Sequence, residues 1–424
     1  MTISRWHSKT LRILTALLLF ATLVYIIDRG FFAFGKGRWI DAQFFYVAGR
    51  CWLNHDLPYN FELFNWHWQD VFETQAISSF VYPPSLAFLA IPLGLFPWDI
   101  AKWVLNAINL LAFLGVWFFT FRLTVTHPHV NSRSLKPWIF LIFSGFISAI
   151  PSVLYIGQMG LIALCGILGS FYAWQYRQSW LFGIFFVLST FKPQISFIPL
   201  VYLLAIADRR FLLPSLLFAT FAMLSPLLGQ SGAFLDIPHQ LVESYRIHLA
   251  LPFNDRSNYV SLPALFGKTE LSSLAIAAGL VVALSVALAL AYLYKRNCSR
   301  GASQSFKQPT LDNVQADPVR HLQILLALVA ALIPIQKYDL VVYIPLLGTL
   351  PILVERHQIL PLLAMILAVA RIDNLETIVG IAFGENVSPI VDFLVNGMTG
   401  AIFFFVFIGW MRETWIASSR KPVH

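Results

Sequence analysis

Long apolar runs separated by short basic tracts constrain this chain more than any other feature. The first run, Ile13 to Ile27, carries no charge, and runs of this kind recur to the carboxyl terminus. In all, 58% of the 424 residues are hydrophobic and only 12% are charged, against roughly 25% charged in a soluble domain. Mean hydropathy is +0.70. A soluble enzyme, a disordered chain and a secreted disulfide scaffold are all excluded. The sequence predicts an all-α polytopic membrane protein with about 11–12 transmembrane or half-membrane helices, at roughly 20 residues per crossing.

The net charge of +8 does not point to nucleic acid. The basic residues lie in short tracts between apolar blocks, as in the cytoplasmic loops of membrane proteins. The three cysteines, Cys51, Cys165 and Cys298, show no CxxC or Cys/His spacing, so neither a disulfide nor a metal site is indicated. No cofactor is implied, and the metal requirement stays open.

Arg5, Lys9 and Arg12 precede the first apolar run, and no small-residue cleavage site follows it. An uncleaved first helix with a cytoplasmic amino terminus is expected. Placing the other basic tracts inside gives a single integral-membrane domain over 1–424 with both termini cytoplasmic. Its parts are a first transmembrane helix (11–27), an external loop (28–84), transmembrane helices over 85–229, an external loop (230–268), transmembrane helices over 271–410, and a cytoplasmic loop (295–319). Individual spans are expected at 137–150, 156–174, 211–229, 271–294, 320–336, 340–353, 357–371 and 391–410. Within 180–206, Lys192-Pro193 leaves two halves too short to cross a bilayer of about 30 Å. Broken helices at membrane depth are tolerated where they line a protein cavity, so this stretch is a candidate wall of a site.

The polar residues that do not suit a scaffold gather on the external side. Residues 28–84 hold six of the 21 acidic residues and sixteen aromatics, the composition of interfacial helices at headgroup depth. Asp41 opens a helical segment in this loop. It is either a helix N-cap or a partly desolvated carboxylate able to act as general base toward a hydroxyl, and the two roles are compatible. Tyr82-Pro83-Pro84 closes the segment as a helix stop, with Tyr82 able to line a site. Gln158, in Tyr155-Ile-Gly-Gln-Met-Gly160, offers an amide where glycines permit close backbone approach. Lys192 is costly at mid-membrane unless paired or bound to an anion such as a lipid phosphate, and no acidic residue is near it in sequence. Arg246, His248 and Arg256, with Asn258, form either a solvated loop or a headgroup-binding patch. Lys337-Tyr338-Asp339 repeats the theme, Lys337 and Asp339 being able to pair.

These residues in this order form a pattern: Asp41 with Tyr46 and Gly49, Leu57-Pro58-Tyr59, Tyr82-Pro83-Pro84, Gly157-Gln158, Lys192-Pro193 and Tyr338-Asp339. Over about residues 10–345 it resembles glycosyltransferase family 87, which includes bacterial α-1,2-mannosyltransferases. The resemblance implies a type C glycosyltransferase that takes a hexose, mannose in the better-known members, from a polyprenyl-phosphate donor at the external membrane face. The partners it implies are that donor, a glycolipid or glycan acceptor, and membrane lipids, with no nucleic acid. The setting would be a bacterial inner membrane. Asp41 would be the base of an inverting transfer; many type C enzymes carry an acidic pair in this loop, whereas Asp41 has no acidic neighbour. Lys192, Lys337, Arg246, His248 and Arg256 would meet the donor phosphate. Tyr46, Tyr59, Tyr82, Gln158, Gln194, Asn258, Tyr338 and Asp339 would line the site. The rival from another class is a polytopic transporter or lipid flippase, which also uses broken helices.

Overall fold

The computed structural model describes residues 2–32, 38–125, 149–228, 230, 236–251, 259–266, 270–301, 318–347 and 409. Among these the chain is helical. The elements are α1 (Thr2–Ile27), α2 (Ile40–Leu53), α3 (Phe61–Phe72), α4 (Ala87–Gly94), α5 (Trp98–Val125), α6 (Ala149–Ile156), α7 (Gly160–Gln175), α8 (Ser179–Ser189), α9 (Pro193–Ile206), α10 (Arg209–Leu224), α11 (Ile237–Leu249), α12 (Glu270–Gly301), α13 (Pro318–Leu332) and α14 (Ile344–Leu347). A 3-10 segment, Lys337–Tyr343, precedes α14.

Four stretches are long and apolar enough to cross a bilayer: Ile13–Gly30, Trp98–Leu123, Arg209–Leu227 and Ser273–Ser299. α6 and α7 together make a fifth candidate, bent by 116°. Shorter apolar helices, α4 with its preceding turn, α8, α9 and α13, fill the interior. Large apolar side chains such as Phe20, Leu111, Leu213 and Val281 are exposed on the four long helices. Water would not tolerate so much apolar surface, whereas lipid requires it. The protein is an integral membrane protein of the expected class.

The break predicted at Lys192-Pro193 is present: α8 ends at Ser189 and α9 starts at Pro193. Proline has no N–H to donate, so it is tolerated in the first turn of the new helix and cannot continue the old one. Residues 28–84, expected to hold interfacial helices, form the helices α2 and α3. Asn60 caps α3, its Oδ1 accepting from the N–H groups of Glu62 and Leu63 at 3.0 and 3.2 Å. His67 and Asp56, 2.8 Å apart, tie α3 to the preceding turn.

Several boundaries differ from expectation. Asp41 is not an N-cap: Trp39 holds that position with φ 64, and Asp41 sits in the first turn of α2. The span expected at 156–174 begins at Gly160, because Gly157 at φ +75 turns the chain out of α6. α12 runs on to Gly301, past the start expected for the cytoplasmic loop at 295. Lys295 and Arg296 keep helical backbone while their long side chains reach outward, as snorkelling residues do. The 320–336 span stops at Leu332. The spans expected at 357–371 and 391–410, and nearly all of 137–150, fall outside the described residues, apart from positions 149, 150 and 409.

α2 is held against α4 by small residues. A Cβ placed on Gly49 would lie 1.9 Å from the Ala90 carbonyl oxygen, so only glycine lets these backbones meet. Substituting Gly49→Ala forces the helices apart. The expected cost is about 1–3 kcal/mol, read as a lower thermal unfolding midpoint of the purified protein in detergent.

Candidate active site

The amino-terminal turn of α2 docks on the bend between α6 and α7. The Trp39 N–H donates to the Tyr155 carbonyl at 2.9 Å. Gly157 lies directly under Ala42, where a Cβ would come within 2.5 Å of the Ala42 Cβ. Its positive φ and this contact both demand glycine. The following residue, Gln158, is thereby delivered to Asp41.

Gln158 is the hub of the local hydrogen bonding. Its Nε2 donates to Asp41 Oδ2 at 2.6 Å. Its Oε1 accepts from the Tyr82 hydroxyl at 3.1 Å and from the Met159 N–H at 2.8 Å. Tyr82 is itself steadied from two sides. Its carbonyl accepts from the Tyr59 hydroxyl at 2.9 Å, and its ring meets Phe45 edge-on with centroids 4.8 Å apart.

Lys192 lies in the α8–α9 break, fully buried. Its Nζ is 2.5 Å from Asp339 Oδ1, and it stands 4.4 Å from the centroid of the Tyr338 ring. The other oxygen of Asp339 accepts from the Gln336 N–H at 3.3 Å, part of a capping box that starts the 3-10 segment. Lys192 is therefore an ion-paired lysine, and its partner comes from far along the chain. Asp339 pairs with Lys192; the Lys337 side chain, the other partner the sequence offered, lies outside the described residues.

Asp41, Gln158, Tyr82, Lys192, Tyr338 and Asp339 thus form one polar cluster inside an apolar bundle. Gln158, Lys192 and Asp339 are its buried floor, while Asp41, Tyr82 and Tyr338 stay half-buried at its accessible edge. α2 lies outside the membrane-spanning segments. Even so, the protein packed around Asp41 strips its carboxyl of water and pushes its pKa up to about 6. The Lys192 charge opposes the rise, the Asp339 charge adds to it, and the Gln158 hydrogen bond opposes it. Asp41 lacks an acidic neighbour in sequence, yet the fold supplies a second carboxylate within electrostatic reach. Among the described residues no group of three or more His, Cys, Asp or Glu is arranged to hold a metal ion.

The remaining expected residues are dispersed. Tyr46 points away from Asp41, its hydroxyl donating to the Phe96 carbonyl at 3.0 Å and its ring packing on Trp98. Tyr59 supports Tyr82 from behind, fully buried. Gln194 is half-buried in the first turn of α9. Arg246 is well exposed on α11 and 3.8 Å from Glu243. His248 sits 3.2 Å from the Ser78 hydroxyl, and burial lowers its pKa. Arg256, Asn258 and the side chain of Lys337 lie outside the described residues.

The serines that dock α11 were not anticipated. Ser79 Oγ donates to Ser244 Oγ at 2.7 Å, and Ser244 Oγ donates to the Tyr59 carbonyl at 2.8 Å. Small hydroxyls in a loop leave no periodic trace, so nothing in the sequence singles them out. The Lys192–Asp339 pair did leave a trace: a cation with no acidic residue near it in sequence, and an anion between two apolar runs, each at an interruption of apolar sequence.

Breaking a buried pair by removing one partner leaves an uncompensated charge. Asp339→Asn is expected to cost about 3–5 kcal/mol, and Lys192→Met a similar amount. The double variant Lys192→Met/Asp339→Leu should recover much of the loss. Thermal unfolding of the purified variants checks this.

No curated protein matches the chain. The sequence model described as glycosyltransferase family 87 matches residues 80–306, more than half of the chain. The match takes in Tyr82, Gln158 and Lys192, and leaves Asp41 and Asp339 outside it. It sets the transporter reading aside. This protein is a membrane glycosyltransferase; the chain belongs to glycosyltransferase family 87.

Proposed function

We propose that the protein transfers a hexose, mannose by analogy with the family's mannosyltransferases, from a polyprenyl-phosphate carrier to a glycolipid or glycan acceptor. The site faces the outside of a bacterial inner membrane, with both termini cytoplasmic. One observation supports this above the others: a half-buried carboxylate, Asp41, shares a polar cluster with a buried ammonium, Lys192, beside a broken membrane helix.

A polyprenyl carrier stays in the bilayer, so its sugar must be met at the membrane surface. The interfacial helices α2 and α3 lie beside the site and suit that task. The acceptor hydroxyl approaches Asp41 and gives up its proton to the carboxylate. Its oxygen forms a bond to the anomeric carbon as the bond to the phosphate oxygen breaks. The polyprenyl phosphate leaves with the electron pair, and the configuration inverts in this single displacement. Negative charge grows on the phosphate as it departs, and a fixed cation nearby stabilises it. Lys192 is the cation we assign to this task. Asp339 balances the charge of its ammonium from one side, and the ammonium N–H donors serve a phosphate oxygen. Arg246 and His248 are less suited, the first being solvated and the second engaged by Ser78.

Asp41→Asn keeps the shape of the side chain and removes the base. Turnover should fall by roughly 10²–10⁴-fold, measured as radiolabelled hexose passed from a polyprenyl-phosphate donor to the lipid fraction of membranes containing the protein. Full turnover in this variant would disprove the assignment. The wild-type kcat/KM should fall as pH drops through about 6, because protonated Asp41 cannot accept the acceptor's proton. Above that value a plateau is expected. Removing Lys192 alone disturbs the fold as well as the site, so its effect on donor affinity is best read in the Lys192→Met/Asp339→Leu variant, where weaker donor binding is the expected result.

A further inference from the structure

We propose that Gln158 is the positioning residue for Asp41, a one-way hydrogen-bond donor that orients the carboxylate and favours its proton-accepting form. The inference rests on the reading of Asp41 as the base. It concerns how that base is prepared.

The direction of the Gln158 amide is dictated by chemistry and not by choice of orientation. The Met159 backbone N–H, 2.8 Å from one amide atom, can only donate, so that atom must be the carbonyl oxygen. The Tyr82 hydroxyl donates to the same oxygen at 3.1 Å. Flipping the amide would set its NH₂ against the Met159 N–H and its carbonyl oxygen against the Asp41 carboxylate, at a residue that is 1% exposed. The NH₂ is therefore left facing Asp41 Oδ2, at 2.6 Å.

An NH₂ can donate to either form of a carboxyl, but it donates about twice as strongly to an ionised one. The arrangement thus favours charged Asp41. It also engages one oxygen only. Among the described residues Oδ1 makes no protein hydrogen bond, and it is the atom left for an acceptor hydroxyl. The other groups facing Asp41 are Lys192 at the start of α9, Tyr338 and Asp339 from the 3-10 segment, and Tyr82 ahead of α4. Tyr245 of α11 reaches the cluster through Tyr82. Lys192 is committed to Asp339, so among these groups only Gln158 hydrogen-bonds Asp41.

The test reads the proton on Asp41 directly. Infrared titration of the purified full-length protein, with Asp41→Asn subtracted as the reference, isolates the protonated carboxyl band of Asp41. The wild type should titrate near pH 6. In Gln158→Met, which keeps length and loses the donor, the midpoint should rise by about one pH unit. Turnover should fall about tenfold or more at neutral pH and recover in part at higher pH, with the KM for a polyprenyl-phosphate hexose unchanged. Gln158→Asn, too short to reach, should behave like Gln158→Met. Tyr82→Phe, which removes one of the two donors fixing the amide, should shift the midpoint in the same direction by less. Should Gln158→Met fail to fold, the Gln158→Asn and Tyr82→Phe titrations carry the decision. A midpoint that stays put in the folded variants overturns the proposal, even where turnover drops, since a merely structural glutamine would lower activity without moving it. Full turnover in Asp41→Asn would overturn the base assignment instead, whatever the titrations show.

Discussion

Everything in this site depends on placing one ammonium in an apolar interior. Lys192 has no access to solvent, and a lone cation there would cost several kcal/mol. Asp339 meets that charge at 2.5 Å and the Tyr338 ring lies beside it. The pair does more than neutralise itself. It joins the break between α8 and α9 to the 3-10 segment that follows α13. It also fixes one positive and one negative charge within electrostatic reach of Asp41, where their opposed influences partly cancel. Such a pair is weak evidence for stability, since apolar residues could fill the space as well. Its presence next to a half-buried carboxylate suits a site that must handle charge.

The second constraint is geometric. A short amphipathic helix such as α2 has no reason to hold one register on a membrane bundle unless something locks it. Here the lock is backbone to backbone: Trp39 to Tyr155, and Gly157 beneath Ala42. The same turn that accepts α2 presents Gln158 to Asp41. Serines 79 and 244 do a similar job for α11. α2 is thus attached through a short backbone hydrogen bond and small residues, and α11 through serine hydroxyls.

Much of the fold was legible in the sequence. Uninterrupted apolar runs can only be satisfied in lipid or inside a bundle. Proline after Lys192 ends one helix and opens the next, so the break at 190–192 followed from local chemistry. Residues 28–84 read as a helical segment instead of a plain connecting loop, and the helices α2 and α3 are there. Boundaries were less legible. Asp41 reads as a cap by residue type, but Trp39 takes the cap because its N–H is claimed by Tyr155. The bend at Gly157 was hidden for a similar reason: a glycine in an apolar run looks like ordinary helix until the neighbour that occupies its empty side is known.

For the site, the sequence by itself determined which residues were out of place: a lysine between apolar halves, an aspartate at a membrane edge, a glutamine among glycines, an aspartate between two spans. Residue type and local hydropathy suffice for that, because taking water from a polar group costs free energy that some partner must offset, whichever partner that is. Only the tertiary structure decided who partners whom. It joined Lys192 to Asp339 and Gln158 to Asp41, turned Tyr46 away towards Phe96, and left Arg246 in solvent. Hydrogen bonds and ion pairs act over about 3 Å, and which atoms come that close is set by helix packing between segments remote in the chain, a quantity no local pattern encodes.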